Sequence, residues 1–251
     1  MIDLHCHLDL YPNVLQLLST VVEMSTYVLF VTTSPRRWQA TREVFKSYEN
    51  IECAVGMHPE IVSEKYSERA LLLQSISECR FIGEVGIDGS TRHKGTIDRQ
   101  TEVFTDVVRE SERVGGRILS IHSRNAATPI LDIIEGEQVK STYILHWFTG
   151  SMAQLSRAID LGCLFSVGPA MLLSSKGKQL VSRIPLERIL PESDGPFARL
   201  DGEPILPWEA MSIGSQVASL HSLTEQQVNE GINQNFSQLI AVADRIPLRS
   251  T

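Results

Sequence analysis

Near its start the chain reads Ile2-Asp3-Leu4-His5-Cys6-His7-Leu8. Successive side chains of a β-strand point to opposite faces, so His5 and His7 would share one face of a short strand and the apolar side chains the other. Imidazoles two residues apart on a strand, roughly 6–7 Å along it, can converge on one metal ion. The same spacing also occurs by chance in ordinary strands. The stretch therefore predicts a metal-binding first strand only if other parts of the chain supply the missing ligands.

The composition is that of an ordinary globular protein. The 251 residues are enough for one large domain or two small ones, and 42% are hydrophobic and 21% charged. A net charge of −7 argues against a general nucleic-acid coat protein, although a local basic patch is compatible with it. The four cysteines are scattered without a CxxC spacing, which favours neither a zinc ribbon nor a disulfide scaffold. The sequence has no leader-like stretch and no long apolar run, so we expect a cytoplasmic protein without membrane contact.

Apolar, β-branched runs alternate with amphipathic stretches along the chain, a pattern typical of α/β proteins. The strands are predicted to end near His7, Thr33, His58, Glu84, His122, His146, Gly168 and Asp194. The helices between them are predicted at residues 13–24, 34–48, 67–79, 97–114, 125–136, 151–160 and 175–183. Two further helices are predicted at residues 207–220 and 225–244.

Eight βα units in about 250 residues predict a (β/α)8 TIM barrel with extra C-terminal helices, formed as a single domain over residues 1–251. The alternative α/β architecture is a doubly wound open sheet. Proteins of that architecture that bind dinucleotides carry a glycine-rich turn after the first strand, and no such turn follows Leu8. The pattern therefore favours the barrel.

Six side chains that can bind metals fall at the predicted C-terminal ends of strands: His5, His7, Glu84, His122, His146 and Asp194. In a parallel barrel these ends open on one face, where such enzymes keep their active sites. Four imidazoles and two carboxylates are too many for one tetrahedral catalytic ion that keeps a water. They suit two ions with one carboxylate between them, but they do not choose between Zn, Mn, Fe and Mg. Two other histidines, His93 and His221, are expected at the surface.

Six segments of the chain carry motifs that occur in the same order in one known family. They are residues 2–9, 55–60, 82–88, 121–126, 145–151 and 190–196, and Asn235-Phe236 falls where that family's last helix carries its Asn. Over its whole length the sequence resembles the TatD family of metal-dependent hydrolases and deoxyribonucleases, within the amidohydrolase superfamily. The resemblance implies a barrel of the metal-dependent hydrolase type.

The resemblance further implies that the cofactors are two divalent metal ions (Zn, Mn or Mg). Their ligands would be His5, His7 and Asp194 for the first ion, His122 and His146 for the second, and Glu84 as the bridge between them.

The catalytic roles implied by the resemblance belong to Glu84 and Asp194, and Asp194 would also take a proton from the attacking water. His58 and Arg124 would face the substrate. The guanidinium group of Arg124 is suited to the paired oxygens of a phosphate.

Several of these positions also have simpler explanations. Asp194 could instead cap the turn that follows it, and His58 could pack against its own turn without contacting the substrate. Asp88 is expected in a turn or beside a metal ligand rather than as a ligand. Trp147 and Phe148 either stack a base or pack the mouth of the barrel.

Eight basic residues fall in loops that we predict at the same face of the barrel: Arg36, Arg37, Arg92, Lys94, Arg124, Lys176, Lys178 and Arg199. A polyanion could bind there despite the acidic total charge, although lysines in loops are usually only solvated.

The leading functional hypothesis is a two-metal phosphodiesterase, specifically a deoxyribonuclease that acts on single strands or 3′ ends of DNA. The second is a metal-dependent esterase or deacylase for another substrate, such as mischarged aminoacyl-tRNA. The third is a partner-binding subunit that is active only in a complex.

The chain departs from the family pattern in the short loop after His7 and in residues 198–204, both of which we expect at the substrate mouth. The metal ligands are therefore better defined than the substrate. The compact build resembles the TatD-like subunit of Qat-type anti-phage systems, which implies antiviral defence and protein partners from a defence operon.

Overall fold

Eight parallel strands form the centre of the computed structural model, which describes residues 1–137 and 140–249. Strands β1 to β3 pair in chain order in one sheet, and β4 to β8 pair in chain order in another. The strands are β1 (Ile2–Cys6), β2 (Tyr27–Val31), β3 (Ile51–Ala54), β4 (Phe81–Gly86), β5 (Ile118–His122), β6 (Thr142–His146), β7 (Leu164–Val167) and β8 (Ile189–Pro191). A two-residue hairpin of β9 (Arg199–Leu200) and β10 (Glu203–Pro204) lies in the loop after β8.

Helices connect the strands and cover the outside of the barrel. They are α1 (Val14–Met24), α2 (Pro35–Phe45), α3 (Val62–Lys65), α4 (Arg69–Ser75), α5 (Ile97–Arg113), α6 (Ala127–Gly136), α7 (Met152–Asp160), α8 (Ser175–Val181), α9 (Gly214–His221) and α10 (Glu225–Ala243). Within the described residues, none of these helices is both long enough and apolar enough to span a membrane.

Backbone hydrogen bonds join the two sheets at both edges. The amide of Gly83 in β4 donates to the carbonyl of Val55 just past β3, at 2.9 Å. On the other side, the amide of Asp194 donates to the carbonyl of His5 at 2.9 Å, and the amide of His7 donates to the carbonyl of Gly195 at 2.8 Å. The strands therefore close into a barrel. The predicted (β/α)8 TIM barrel with extra C-terminal helices is confirmed, and the open-sheet alternative is wrong.

Two strands carry a β-bulge at a candidate metal ligand. The register of β1 against β2 gains one residue between Asp3 and Cys6, around His5. The register of β4 against β5 gains one residue between Ile82 and Val85, around Glu84. A bulge re-aims a side chain and interrupts the simple alternation of faces. Accordingly, Leu4 packs in a different apolar cluster from Cys6, although strict alternation predicts one shared face for both.

Apolar side chains fill the barrel at the end opposite the C-termini of its strands. One buried cluster joins residues of β1, β2, β3, β4, β5, β6 and β8 to Leu239 and Ala243 of α10, so this helix closes the end opposite the strand C-termini. The helix is fixed by the side-chain amide of Asn235, which donates to the carbonyls of Leu186 and Ile189 at 2.7 and 2.8 Å. This contact holds α10 against β8, the strand that leads to Asp194.

Two of the predicted helices are interrupted. In the predicted helix 67–79, 3-10 turns flank the short α4, and in the predicted helix 207–220 a 3-10 segment (Pro207–Ile213) precedes α9. The short α3 was not predicted. These stretches have amphipathic patterns, but the pattern does not distinguish an α-helix from consecutive short helical turns.

Gly56 is required by the close approach of two backbone segments next to Glu84. A Cβ atom at this position would lie 2.4 Å from both the Glu84 nitrogen and the Gly83 carbonyl carbon, a separation that forces the strands apart. We expect Gly56→Ala to lower the free energy of unfolding by about 1–3 kcal/mol and to reduce metal content. Urea unfolding and metal analysis measure both effects.

Gly95→Ala is the matched control, because a Cβ atom at Gly95 meets nothing within 4 Å. Its stability should stay within about 0.5 kcal/mol of the parent. Equal stability and metal content for the two variants would contradict the role assigned to Gly56.

Candidate metal centre

The carboxylate of Glu84 is buried at the C-terminal mouth of the barrel, where imidazoles surround it. Its oxygen Oε2 lies 3.5 Å from Nε2 of His5, 3.1 Å from Nε2 of His7 and 3.3 Å from Nε2 of His58. β1 and the residue after it supply the first two imidazoles, and the loop after β3 supplies the third.

The second oxygen of Glu84, Oε1, faces two further imidazoles. It lies 2.7 Å from Nδ1 of His122 and 3.4 Å from Nε2 of His146. These histidines are the last residues of β5 and β6, as the sequence predicts. Glu84 itself lies inside β4 rather than at its end, and the bulge described above brings its side chain to this point. One carboxylate therefore faces two separate sets of imidazoles.

Asp194 completes the cluster from the loop after β8. Its Oδ1 lies 3.8 Å from Nε2 of both His5 and His7. The backbone of Asp194 has a positive φ of 50°, in the left-handed region that Asp tolerates better than most residues. Burial raises the pKa of the Asp194 carboxyl to about 7. In the turn that follows, the N–H of Gly195 donates to the hydroxyl of Ser193 at 3.1 Å rather than to the Asp194 carboxylate, so the capping interpretation is not supported.

Contacts between the carboxylates and the imidazoles of the cluster offset the effect of burial on the pKa values of Glu84 and His122. Burial alone would raise the pKa of Glu84, but His58, His122, His146 and His5 more than offset this and hold it well below its usual range. Burial alone would also lower the pKa of His122, yet its contacts with Asp88 and Glu84 raise that pKa to about 9. The arrangement thus strongly favours an ionised Glu84.

A second layer of polar groups orients the imidazoles. Nδ1 of His5 lies 2.8 Å from the hydroxyl of Ser120, and Nε2 of His122 lies 2.9 Å from Oδ2 of Asp88. Nδ1 of His146 lies 3.3 Å from Oε2 of the fully buried Glu192, whose other oxygen accepts the backbone N–H of Trp147 at 3.1 Å. Such partners fix the ring orientation and the tautomer of metal-binding histidines.

The roles of Ser120 and Glu192 were missed from the sequence. For Glu192 a signal was available, because this acidic residue directly follows the apolar strand β8. A carboxylate buried at such a place is normally paired or binds a metal. Asp88 lies beside His122, consistent with the expected position next to a ligand rather than among the ligands.

The residues present fit divalent cations. Nε2 of His5, which faces Glu84, is buried without a hydrogen-bond partner within the described part of the chain, although buried polar atoms are normally paired. Groups of ligand atoms close enough to hold an ion include His5 with His7 and Glu84, and His58 with Glu84 and His122. Imidazole suits Zn or Fe, and carboxylate suits Mg or Mn.

His58 lies closer to the cluster than the sequence suggests. The prediction placed it against the substrate, whereas its Nε2 lies 3.3 Å from Glu84 and its Nδ1 accepts the backbone N–H of Glu60 at 3.2 Å. His93, predicted at the surface, is instead buried, with Nε2 3.4 Å from Glu60. His221 is partly buried, and its Nε2 lies 3.0 Å from the carbonyl of Val181.

A cleft of about 610 Å³ opens over the cluster. It is lined by His122, Ser123, Arg124, Asn125, His146, Trp147, Thr149, Asp194 and Phe197. Arg124 is exposed within it, and its contact with the substrate stays a prediction. Trp147 also lines the cleft, whereas Phe148 is buried against Phe165, so only the packing interpretation holds for Phe148.

Four of the eight basic residues predicted at this face are engaged in other contacts. Arg37 pairs with Asp9, and Arg36 lies 3.9 Å from Glu68. Lys176 donates to the carbonyl of Thr149 at 2.6 Å, and Arg199 donates to the carbonyl of Gly202 at 2.8 Å. Of the eight basic residues predicted at this face, only Arg124 lines the cleft in the described part of the chain.

Glu192 offers a test of the second layer. We expect Glu192→Gln to lower metal affinity about 10- to 100-fold, because the amide keeps the shape but removes the charge that holds the His146 ring. Competition with a chelating dye measures the affinity, and circular dichroism verifies the fold. The exposed Glu187→Gln is the control, and unchanged affinity in Glu192→Gln would contradict the orienting role.

Comparisons with solved structures support the barrel fold. The barrel is similar to the crystal structure of YjjV, a TatD homologue from Escherichia coli K12, with a TM-score of 0.82, 20% identity, and coverage of 95% of this chain and 97% of that one. It is also similar to an uncharacterised amidohydrolase from Saccharomyces cerevisiae, with a TM-score of 0.75, 15% identity, and coverage of 95% and 100%. At these identities the structures support the fold alone.

Sequence comparison identifies the family. Human deoxyribonuclease TATDN3 is 24% identical, over 95% of this chain and 94% of its own. The metal-dependent hydrolase YjjV of Escherichia coli is 23% identical, over 96% and 98%. The family model for TatD-related DNases matches residues 2–241. The chain therefore belongs to the TatD-related DNase family, and it is a metal-dependent hydrolase that acts on ester bonds.

Proposed function

We propose that this hydrolase is a two-metal phosphodiesterase, a deoxyribonuclease that trims single-stranded or 3′ ends of DNA. The observation that carries the proposal is the position of Glu84, whose two oxygens face two different sets of imidazoles. A single ion would leave one of these sets unused.

The ligands divide between two ions in the proposed site. His5, His7 and Asp194 would hold one ion, His122 and His146 the other, and Glu84 would lie between them. Zn, Mn and Mg remain the candidate metals. When bound, such a pair polarises the phosphoryl group and lowers the pKa of water.

Asp194 is the residue best placed to accept a proton from the attacking water. Its side chain is 12% exposed and lines the cleft, whereas that of Glu84 is 2% exposed and is enclosed by imidazoles. A general base must reach the proton that it removes, and this requirement favours Asp194 over Glu84. Glu84 would act instead through its position between the ions.

Arg124 would bind the phosphate next to the scissile bond. It lies in the cleft two residues after His122, and its guanidinium can donate paired hydrogen bonds to phosphate oxygens. His58 would contact either the substrate or an ion, and its distance from Glu84 favours a place close to the reacting group.

DNA is proposed as the substrate because human TATDN3 is named a deoxyribonuclease. The second candidate is deacylation of an ester such as mischarged aminoacyl-tRNA, since the same two-metal site would serve both reactions. Direct comparison of DNA with aminoacyl-tRNA as substrates separates them.

A single domain over residues 1–251, a cytoplasmic location, a role in anti-phage defence and protein partners from a defence operon stay predictions from the sequence. A protein that is inert alone and active only after co-purification with partners would favour the complex-dependent alternative.

Hydrolysis of end-labelled single- and double-stranded DNA with Mg, Mn and Zn tests the proposed function. We expect stepwise shortening by the parent protein. Glu84→Ala should abolish both hydrolysis and metal content, and Asp194→Asn should lower kcat about 10²- to 10⁴-fold. Asp201→Asn, in the exposed turn of the β9–β10 hairpin, is the control. Full hydrolysis and full metal content in Glu84→Ala would contradict the proposed two-metal site.

Arg124→Ala tests the phosphate contact. Loss of a charged hydrogen bond should raise KM for DNA roughly 10-fold or more, and it should reduce the slope of log affinity against log salt by about one. Arg183→Ala removes the same charge beyond the C-terminus of α8, at the opposite end of the barrel, and should change neither quantity. An unaltered KM and salt slope in Arg124→Ala would show that Arg124 does not bind the phosphate.

A further inference from the structure

Phe197 is exposed in an unusual place. It lies three residues after Asp194 and lines the cleft over the candidate metal centre, yet its side chain is 61% exposed. Other strongly exposed apolar side chains, such as Leu15 and Leu173, do not line this cleft in the described part of the chain. An exposed apolar residue is ordinary on a surface, but an aromatic ring in the cleft that Arg124 also lines can stack against a flat ligand.

The ring of Phe197 packs against His7 in a way that leaves a face open. The two ring centroids are 4.9 Å apart, and the planes meet at 78°. In such an edge-to-face pair His7 can cover at most one face of Phe197, and the high exposure agrees with a second face open to the cleft. A flat apolar ligand could therefore lie on this ring within a few ångströms of a candidate metal ligand.

We propose that Phe197 is a stacking platform for an unpaired nucleobase next to the scissile phosphate, and that it makes the enzyme selective for single-stranded DNA. This inference rests on the proposed function and specifies its substrate. Stacking on an aromatic ring is tolerant of sequence, because every base has a π face. Trp147 adds a second, partly buried aromatic ring to the same cleft.

The surroundings of Phe197 favour a single strand over a duplex. Within a duplex each base is already stacked and paired, so its face is not available to a side chain unless the base is extruded. A protein that tracks a duplex neutralises several phosphates, whereas among the described residues Arg124 is the one Lys or Arg that lines the cleft. One cation and one open aromatic face match a phosphate and its neighbouring base.

A substrate cycle tests the stacking contact. Single-stranded oligonucleotides carry an abasic spacer at each of the last three positions in turn, and kcat/KM is measured for the metal-loaded parent and for Phe197→Ala. The parent should prefer the base-bearing substrate at one position by about 5- to 150-fold. Phe197→Ala should lose that preference while its rate on the matching abasic substrate and its metal content stay near those of the parent.

Two further variants separate stacking from structural damage. Phe197→Trp should keep the preference because it keeps the π face, and Leu173→Ala should keep it because Leu173 is an exposed apolar residue outside the cleft. A Phe197→Ala enzyme that slows equally on both substrates would overturn the stacking role.

Failure of this inference is distinguishable from failure of the proposed function. If the parent cleaves DNA and the preference survives in Phe197→Ala, only the stacking proposal falls. If the parent cleaves no DNA, the proposed function falls, and the same cycle is then measured as binding by fluorescence anisotropy. Equal affinity of the parent for base-bearing and abasic strands would then overturn the stacking proposal as well.

Discussion

The burial of one carboxylate, that of Glu84, is the constraint on which the mouth of this barrel depends. An ionised carboxylate removed from water costs several kcal/mol unless close partners compensate for it. Here the partners are imidazoles from β1, β5, β6 and the loop after β3, all within 3.5 Å of its two oxygens. The ends of β1, β5 and β6 and the loop after β3 therefore meet at the same point, and metal ions would occupy a position that already favours positive charge.

The polar groups around the imidazoles stabilise them in turn. Asp88 and Glu192 are buried carboxylates that face the far nitrogens of His122 and His146, and Ser120 contacts His5 in the same manner. In each case one ring nitrogen is directed toward Glu84 and the other is held by a neighbour. This pattern fixes the rings before any ligand binds, which is the condition for a centre that does not need to reorganise.

Much of this arrangement could be predicted from the sequence, because a parallel barrel places every strand end on one face. That rule alone brought together His5, His7, Glu84, His122, His146 and Asp194. The rule could not predict the bulges at His5 and Glu84, since these arise from pairing between strands and leave no periodic signal. It also missed Glu192 and the burial of His93, which depend on neighbours far apart in sequence.

The charge distribution bears on how this chain would bind a polyanion. A net charge of −7 does not favour long-range attraction of DNA, and four of the eight basic side chains predicted at the mouth are engaged elsewhere. Affinity must then come from short-range contacts inside the cleft, namely the metal centre, Arg124 and the aromatic rings. Such contacts would reach only a nucleotide or two, and this short reach agrees with the proposed action on single strands or 3′ ends rather than along a duplex.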